Sequence, residues 1–173
     1  KYDNLIKTVE EKEFMQEITT FIIPSIGRES LNRAIQSTKP HPVLHKIDTN
    51  RRGESHIRNQ LIKEATTEWV SFLDDDDTIT EDYVRRLCEE IEANPQADVI
   101  HFREYFLANG HLLPSRNTVE WGNIGICFSV RRKLALEYPF VQENNEDYHF
   151  VRRLHEAGKN IVFSPYLTYR VRH

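Results

Sequence analysis

The chain has little of what several protein classes require. Its 173 residues include only two cysteines, Cys88 and Cys127, which lie far apart and lack the paired spacing of a metal site. We therefore expect two buried thiols in a reducing compartment. Its six glycines form neither a dinucleotide-binding motif nor a P-loop, which disfavours a dinucleotide site and a Walker-type ATP site.

Long apolar runs and basic blocks are also missing. No run approaches the ~20 apolar residues of a membrane span, and no signal peptide is visible, so a cytoplasmic location is the default. The net charge is −4 and no dense basic block occurs, which disfavours a nucleic-acid partner. Since the chain begins at Lys1 rather than Met, we allow for a longer, multidomain protein.

The residues that are present are typical of a globular domain. A hydrophobic content of 39% with 10% aromatic residues indicates a packed core, and 173 residues suit one domain. We expect a charged N-terminal arm at 1–17 and one domain at 18–173. Strand and helix patterns alternate at first and hairpins follow, which predicts an α/β fold with a mixed, mainly parallel central sheet flanked by helices.

Four consecutive aspartates, Asp74 to Asp77, follow a predicted buried strand at 69–73. Adjacent carboxylates raise each other's pKa unless a cation offsets them, and Mg²⁺ binds carboxylates together with substrate phosphates. Ligands of open α/β sheets bind beyond the carboxyl ends of strands. The run therefore predicts a metal and phosphate site, and the alternative is a solvated acidic turn that caps the next helix. An EF-hand is excluded because Ile79 and Arg85 stand where its Gly and Glu belong.

Polar residues also follow the first two predicted strands, at 18–23 and 43–47, where loops would line a nucleotide crevice. Asp48 could accept hydrogen bonds from a base or a ribose. Four arginines could meet phosphate, and each could equally be a surface group: Arg28, Arg51, Arg52 and Arg58.

Glu146 and Asp147 stand at the start of another predicted helix. The helix dipole favours carboxylates at this position, so stabilisation of the helix explains them fully. A general base is the alternative, and it would have to reach an acceptor hydroxyl.

Together these segments resemble the GT-A glycosyltransferases, and within them the inverting group called glycosyltransferase family 2. The resemblance extends over residues 18–173 and departs from the family in the turn after Asp48, which lacks Asp-Gly-Ser, and in a short acceptor half. The matching motifs are Phe21-Ile22-Ile23-Pro24-Ser25, Ile47-Asp48-Thr49, His56-Ile57-Arg58-Asn59, Phe72-Leu73-Asp74-Asp75-Asp76-Asp77, Asn145-Glu146-Asp147 and Tyr169-Arg170-Val171-Arg172-His173.

The resemblance implies a Rossmann-like nucleotide-diphospho-sugar transferase fold, with a nucleotide-sugar-binding half at 18–104 and an acceptor half at 105–173. It implies metal-dependent, inverting transfer from a nucleoside-diphosphate sugar, UDP by default, to a hydroxyl of a carbohydrate or another acceptor. The implied cofactor is Mn²⁺ or Mg²⁺.

The resemblance also implies roles for single residues. Asp147 would be the general base, and Glu146 would orient the acceptor or support its loop. Asp76 would bind the metal, with Asp77 as a substitute and His173 as an additional ligand. The implied nucleotide-sugar contacts are Pro24, Ser25, Gly27, Arg28, Asp48, Arg58, Asp74 and Asp75, although Asp75 could be only a spacer.

Trp121, Gly122 and Asn123 would shape the sugar and acceptor pocket, and the alternative for Trp121 is a buried structural role. Two other functions compete with transfer: a non-catalytic nucleotide-sugar or carbohydrate-binding module, and a sugar nucleotidyltransferase. The Glu146-Asp147 helix and the missing glycine-rich triphosphate loop count against the second.

Overall fold

The computed structural model describes residues 17–172. The predicted charged arm at 1–17, apart from Glu17, and the predicted metal ligand His173 lie outside the described residues. Along the described part the elements are β1 (Thr19–Ser25), α1 (Leu31–Thr38), β2 (Val43–Ile47), α2 (Glu54–Glu64), β3 (Trp69–Phe72), β4 (Thr78–Ile79), α3 (Tyr83–Ala93), β5 (Val99–Phe106), β6 (Leu112–Leu113), β7 (Phe128–Arg131), α4 (Arg132–Glu137), α5 (Glu146–Glu156) and β8 (Ile161–Val171).

The strands form one mixed sheet in the order β2-β1-β3-β7-β5-β8-β4, with β6 paired to β5. Its longest ladders are parallel, joining β1 to β2, β1 to β3 and β5 to β8. β7 runs antiparallel between β3 and β5, and β4 runs antiparallel to β8. The predicted fold class is therefore confirmed. The division into a half at 18–104 and a half at 105–173 stays a prediction.

β1 continues through Pro24, where the sequence predicts that it stops. The Phe21 amide bonds to Pro42 on the β2 side, so the alternation of the strand turns residue 24 toward the β3 side. Pairing with β3 ends at Ile22 and Phe72. No neighbouring strand therefore needs a main-chain N–H group from residue 24. A strand tolerates proline at such a position.

Aromatic side chains attach α5 to the sheet. Phe150, fully buried in this helix, stacks on Phe140 with ring centroids 4.1 Å apart and on Phe128 at 5.6 Å. Burying one such side chain stabilises the fold by roughly 1.5–3 kcal/mol. This packing fixes the start of α5, where Glu146 and Asp147 lie.

Most predicted local features agree with the structure. The Asn109-Gly110 hairpin joins β5 to β6, and Gly110 has a φ of 73° in its turn. Cys88 and Cys127 are both buried and free, as predicted.

Three further elements differ from the predicted pattern. The apolar pattern predicts two closing strands, at 161–163 and 166–171, whereas the structure has the single strand β8. The two-residue strand β4 is too short for any sequence pattern to predict it. Ser55 is a plausible N-cap by residue type, whereas in the structure the N-cap is Gly53, whose φ of 94° suits glycine, and α2 begins at Glu54. Within residues 17–172, no helix combines the length and the apolar character needed to cross a membrane.

Candidate active site

The carboxyl ends of β1, β2 and β3 bring the predicted polar residues to one edge of the sheet. The Asp48 amide donates to the Ser25 carbonyl across 2.7 Å, which joins the ends of β2 and β1. The Ser25 hydroxyl donates to Asp75 Oδ2 at 2.6 Å, which joins β1 to the aspartate run. This is the edge at which open α/β sheets bind ligands.

Asp75 holds the turn after β1 and is more than a spacer. Its carboxylate accepts the Ser25 hydroxyl, the Ile26 amide at 3.2 Å and Arg28 Nη1 at 2.7 Å. The Gly27 amide donates to Ser25 Oγ at 2.9 Å and closes the turn. Asp75 is only 3% exposed, so its role in this structure is to shape the turn.

Arg28 and Arg33 bring positive charge to Asp75 and Asp76 of the run. Arg28 Nη1 lies 2.7 Å from Asp75 Oδ1 and 2.8 Å from Asp76 Oδ2, so one nitrogen bridges two carboxylates. Arg33 Nη2 donates to the main-chain oxygen of Asp76 at 2.8 Å. Their positive charges reduce the electrostatic repulsion among the four adjacent carboxylates.

Asp77 lies against the other end of the described chain. Its Oδ1 accepts the Arg172 amide at 2.9 Å. Burial, and then the nearby carboxylates of Asp74 and Asp76, raise the pKa of Asp77 to about 6. The segment that precedes His173 therefore reaches the aspartate run.

Arg58 connects the aspartate run to α5. Its guanidinium pairs with Asp74 at 2.7 Å, with Glu54 at 3.2 Å and with Glu146, and its side chain is 2% exposed. The Ser55 hydroxyl also donates to Glu146. Glu146 is thus held by α2, so it supports the geometry between α2 and α5.

One cavity of 340 Å³ is lined by four of the predicted site residues: Arg58, Asp74, Glu146 and Asp147. Six further residues line it and were not predicted: Glu54, Ile126, Gln142, Glu143, Asn144 and Asn145. Gln142 and Glu143 precede the Asn-Asn-Glu-Asp segment on the same loop, and no pattern in that loop marks them as cavity residues.

Asp147 faces this cavity from the first turn of α5. The helix begins after Asn145, which has a left-handed φ of 55° that asparagine tolerates. Burial is the largest influence on Asp147 and raises its pKa, although its Oδ1 accepts the Tyr148 amide at 2.8 Å. A carboxylate with a raised pKa is a stronger base than an exposed one, which suits proton abstraction.

The Asp48 carboxylate accepts hydrogen bonds from the loop that follows it. Its two oxygens accept the amides of Arg52 at 3.0 Å and Gly53 at 2.7 Å, and these bonds lower its pKa. A neighbouring depression of 480 Å³ is lined by Asp48, Gly53, Arg51 and the exposed side chain of Ile26. Asp48 therefore shapes the loop beside this depression.

Trp121 is exposed, so the alternative of a buried structural role is wrong. Its ring is 62% exposed and packs edge-to-face on Tyr148 at 5.3 Å and on His149 at 5.7 Å, immediately after Asp147. Gly122 is exposed. Asn123 is buried, and its amide bonds to the main chain of residues 115–118, so it organises that loop instead of facing the cavity.

Glu104 is a buried acid that the sequence does not reveal, because it lies inside strand β5. Its carboxyl group interacts with the Cys127 thiol and fills the space above Gly125, where a Cβ atom would collide with it. Burial raises the pKa of Glu104 to about 8, and the charge of Asp147 adds to this effect.

The donor chemistry at the aspartate run fits a hard divalent cation. In residues 17–172, no three side chains of the His, Cys, Asp or Glu type converge on a common cation position. Mg²⁺ needs only one or two carboxylates when substrate phosphates and water complete its shell. The Arg28 guanidinium contacts the carboxylates of both Asp75 and Asp76, which shows that these two carboxylates attract positive charge.

Comparisons with solved structures place this geometry among known folds. S. aureus TarS 1–349 in complex with UDP-GlcNAc matches with a TM-score of 0.73 at 16% identity, covering 90% of this chain and 58% of TarS 1–349. Mannosyltransferase PcManGT from Pyrobaculum calidifontis, in complex with GDP-Man and Mn²⁺, matches with a TM-score of 0.66 at 13% identity, covering 96% and 63%. A197 from STIV matches with a TM-score of 0.58 at 18% identity, covering 89% and 81%.

The sequence comparisons supply the family. A search of curated proteins found no significant match. The chain spans about 60% of the length of TarS 1–349. The family model for glycosyl transferase family 2 matches residues 27–163, well over half of the chain. The predicted family and fold are therefore confirmed: the chain belongs to glycosyl transferase family 2.

Proposed function

We propose that the chain transfers a sugar from a nucleoside-diphosphate sugar to an acceptor hydroxyl, with inversion and with the help of a divalent cation. The observation that carries this proposal is the 340 Å³ cavity, in which Asp147 and Asp74 face the same space. Asp74 begins the aspartate run on the donor side, whereas Asp147 lies on the acceptor side. Two carboxylates with separate tasks at one reacting centre suit inverting transfer.

The donor would lie along the edge formed by β1, β2 and the aspartate run. The turn after β1 supplies a proposed set of contacts: Pro24, Ser25, Gly27 and Arg28. Asp48 would border the nucleoside, and Arg58, Asp74 and Asp75 would border the diphosphate and sugar. TarS was solved with UDP-GlcNAc and PcManGT with GDP-Man, which supports a nucleotide sugar as the donor class. UDP is the default donor nucleotide.

A cation, Mn²⁺ or Mg²⁺, would be held by Asp76, with Asp77 as a substitute ligand and His173 as an additional one. It would supply positive charge to the departing nucleoside diphosphate. The Mn²⁺ complex of PcManGT supports this part of the proposal. Within the described residues, the Arg172 amide donates to Asp77 Oδ1, which supports Asp77 as part of the site.

On the acceptor side, Asp147 would take the proton of the attacking hydroxyl, because burial raises its proton affinity. Glu146 would keep the start of α5 in place through Ser55 and Arg58. Trp121 and Gly122 would form the rim over which a carbohydrate or another hydroxyl acceptor enters, and Asn123 would hold the underlying loop.

A thermal-shift panel tests the donor class. Nucleoside diphosphates and their sugars are added with and without Mn²⁺, because a ligand that binds only the folded state stabilises it by mass action. At a hundredfold excess over Kd the gain is ~2.7 kcal/mol, which corresponds to a rise in Tm of about 5–10 °C for a domain of this size. One nucleotide should dominate and should depend on Mn²⁺. Equal Tm values with every nucleotide, with or without Mn²⁺, would contradict the proposal.

A further inference from the structure

A second cavity lies between the loop at 115–123 and the end of helix α5. Its volume is 450 Å³, within the range of ~300–1,000 Å³ that is typical of ligand pockets. Its wall is formed by residues 117–120, by His155 of α5 and by the segment that leads into β8. The buried Asn123 amide bonds to the main chain of residues 115–118 and so holds this wall in place.

The lining of this cavity suits a carbohydrate. Three side chains supply amide and hydroxyl groups, which can bond to sugar hydroxyls, and three supply partly buried apolar surface, against which the C–H groups of a sugar ring can pack. The polar three are Asn117, Thr118 and Asn160, and the apolar three are Val119, Ile161 and Phe163. Glu120 and Lys159 add opposite charges beside the His155 imidazole, so the lining does not favour a strongly charged ligand.

Trp121 lies between this cavity and the one that Asp147 lines. It directly follows Glu120, which lines the second cavity, and its ring packs on Tyr148 and His149, which directly follow Asp147. The ring is largely exposed. An exposed aromatic ring offers a flat apolar surface on which a sugar ring can stack. The two cavities are therefore joined by a surface that also suits a carbohydrate.

Helix α5 gives this path its direction and length. Tyr148 and His155 are seven positions apart and lie on the same face of the helix. Trp121 packs on the first of them, and the second lines the 450 Å³ cavity. At a rise of ~1.5 Å per residue, Asp147 and His155 are about 12 Å apart along the helix. A single sugar at Asp147 is too short to reach the second cavity, whereas a chain of sugars is long enough.

We propose that the 450 Å³ cavity is a second acceptor site and that the acceptor is an uncharged carbohydrate chain rather than a single sugar. The terminal sugar lies at Asp147, the chain crosses Trp121, and a later sugar enters the cavity. The inference rests on the proposed function, because the terminal sugar must present its hydroxyl to Asp147. Transfer then extends an existing glycan.

Saturation-transfer difference NMR tests this inference, because it measures weak binding and needs no turnover. The probes are the uncharged mono-, di-, tri- and tetrasaccharides of glucose, galactose, mannose and N-acetylglucosamine, with and without UDP and Mg²⁺. In at least one series the tri- or tetrasaccharide should bind about tenfold more tightly than its own monosaccharide, since the added sugars gain contacts in a formed pocket.

Thr118→Trp would fill the cavity from an exposed position of the loop. It should weaken binding of the longer glycan about fivefold or more and leave monosaccharide binding within about twofold. Asn117→Trp, at another exposed lining position, is the second variant and should act in the same way. Thr66→Trp is the matched control, since Thr66 is also exposed but precedes β3, three strands away from β8. It should change neither affinity.

Equal affinity for all chain lengths in every series would overturn the inference, and so would the absence of binding by every probe. A longer glycan that both loop variants bind like the wild type would also overturn it, as would an equal loss in Thr66→Trp. The proposed function is judged separately, by the thermal-shift panel. A rise in Tm with a nucleotide, without any dependence on glycan length, overturns the inference alone. A longer glycan that binds while no nucleotide raises the Tm would contradict transfer and leave a glycan-binding site.

Discussion

Arg58 is the residue through which three segments of the site meet. Glu54 belongs to its own helix, Asp74 follows β3 and Glu146 begins α5, and all three carboxylates pair with this one guanidinium. The carboxylates of Asp74 and Glu146 are therefore held in place by the same buried guanidinium. Without it, the nearly buried Glu146 carboxylate would face the carboxylates of Asp74 and Glu54 with no cation between them.

Arg58→Met is expected to destabilise the fold by about 3–5 kcal/mol, since it leaves the nearly buried Glu146 carboxylate without its cation. The matched control is Arg85→Met, because Arg85 also pairs with two acids, Asp82 and Glu89, but is half exposed. The control should cost less than ~1 kcal/mol. Urea unfolding measures both free energies, and similar losses in the two variants would contradict the assigned role of Arg58.

At this scale the sequence predicts the motif residues better than their partners. Arg58, Asp74, Glu146 and Asp147 were predicted from local patterns, and they line one cavity. The pairing of Arg58 with Glu146 spans 88 positions, and no local pattern encodes it. The engagement of Asp48 by its own loop is equally invisible, because it depends on the left-handed turn at Gly53.

Near the site, strand β5 packs closely against the segment before β7. The Glu104 carboxyl group lies directly above Gly125, and the Cys127 thiol contacts the same carboxyl group. A Cβ atom at residue 125 would collide with Glu104. The next residue, Ile126, lines the cavity together with Asp147.

Gly125→Ala is expected to cost about 1–3 kcal/mol, since an added methyl group overpacks the buried contact. In a Glu104→Ala background the same substitution should cost at least ~0.5 kcal/mol less, because the obstructing carboxyl group is gone. A double-mutant cycle of unfolding free energies measures this coupling. If the effects of the two substitutions on the unfolding free energy are strictly additive, Glu104 does not obstruct a side chain at residue 125.

The boundaries of elements show where local patterns fail. β8 reads as two strands because Pro165 interrupts its apolar pattern, yet its ladder with β5 continues past register irregularities near His101 and Arg103. β4 has two residues, too few for any periodicity, and exists because β8 offers it a partner. Pairing between distant strands decides both cases.

For the whole molecule, buried acids with raised pKa values make stability depend on pH. Glu104 has a pKa of about 8 in the folded chain against 4.5 as its ordinary value. Between these values the folded state keeps a proton that the unfolded state has lost. Its contribution to stability therefore falls as the pH rises from about 4.5 to about 8.

Glu104→Gln should remove this dependence, because the amide does not titrate. The unfolding free energy of the wild type should fall, relative to the variant, by up to ~1.4 kcal/mol per pH unit between pH 5 and 8. Denaturant unfolding across this range measures the difference curve, in which the shared effects of the other acids cancel. A flat difference curve would show that Glu104 is ionised in the folded chain at neutral pH.

The fold class was predictable as a whole, whereas the order of the strands was not. Alternating strand and helix patterns indicate parallel pairing of β1, β2 and β3. The insertion of antiparallel β7 between β3 and β5 follows from packing between residues that are distant in sequence, and no local sequence pattern predicts it.

If Asp147 takes the proton of the acceptor hydroxyl, Asp147→Asn should impair transfer but not donor binding, and paired measurements of the two distinguish these effects. Turnover of the nucleotide sugar with an acceptor that the wild type glycosylates should fall about 10²- to 10⁴-fold, while the donor Kd with Mn²⁺ stays unchanged. Glu143→Gln, which neutralises another carboxylate of the same cavity, should keep most of the activity. Wild-type turnover by Asp147→Asn would contradict the account.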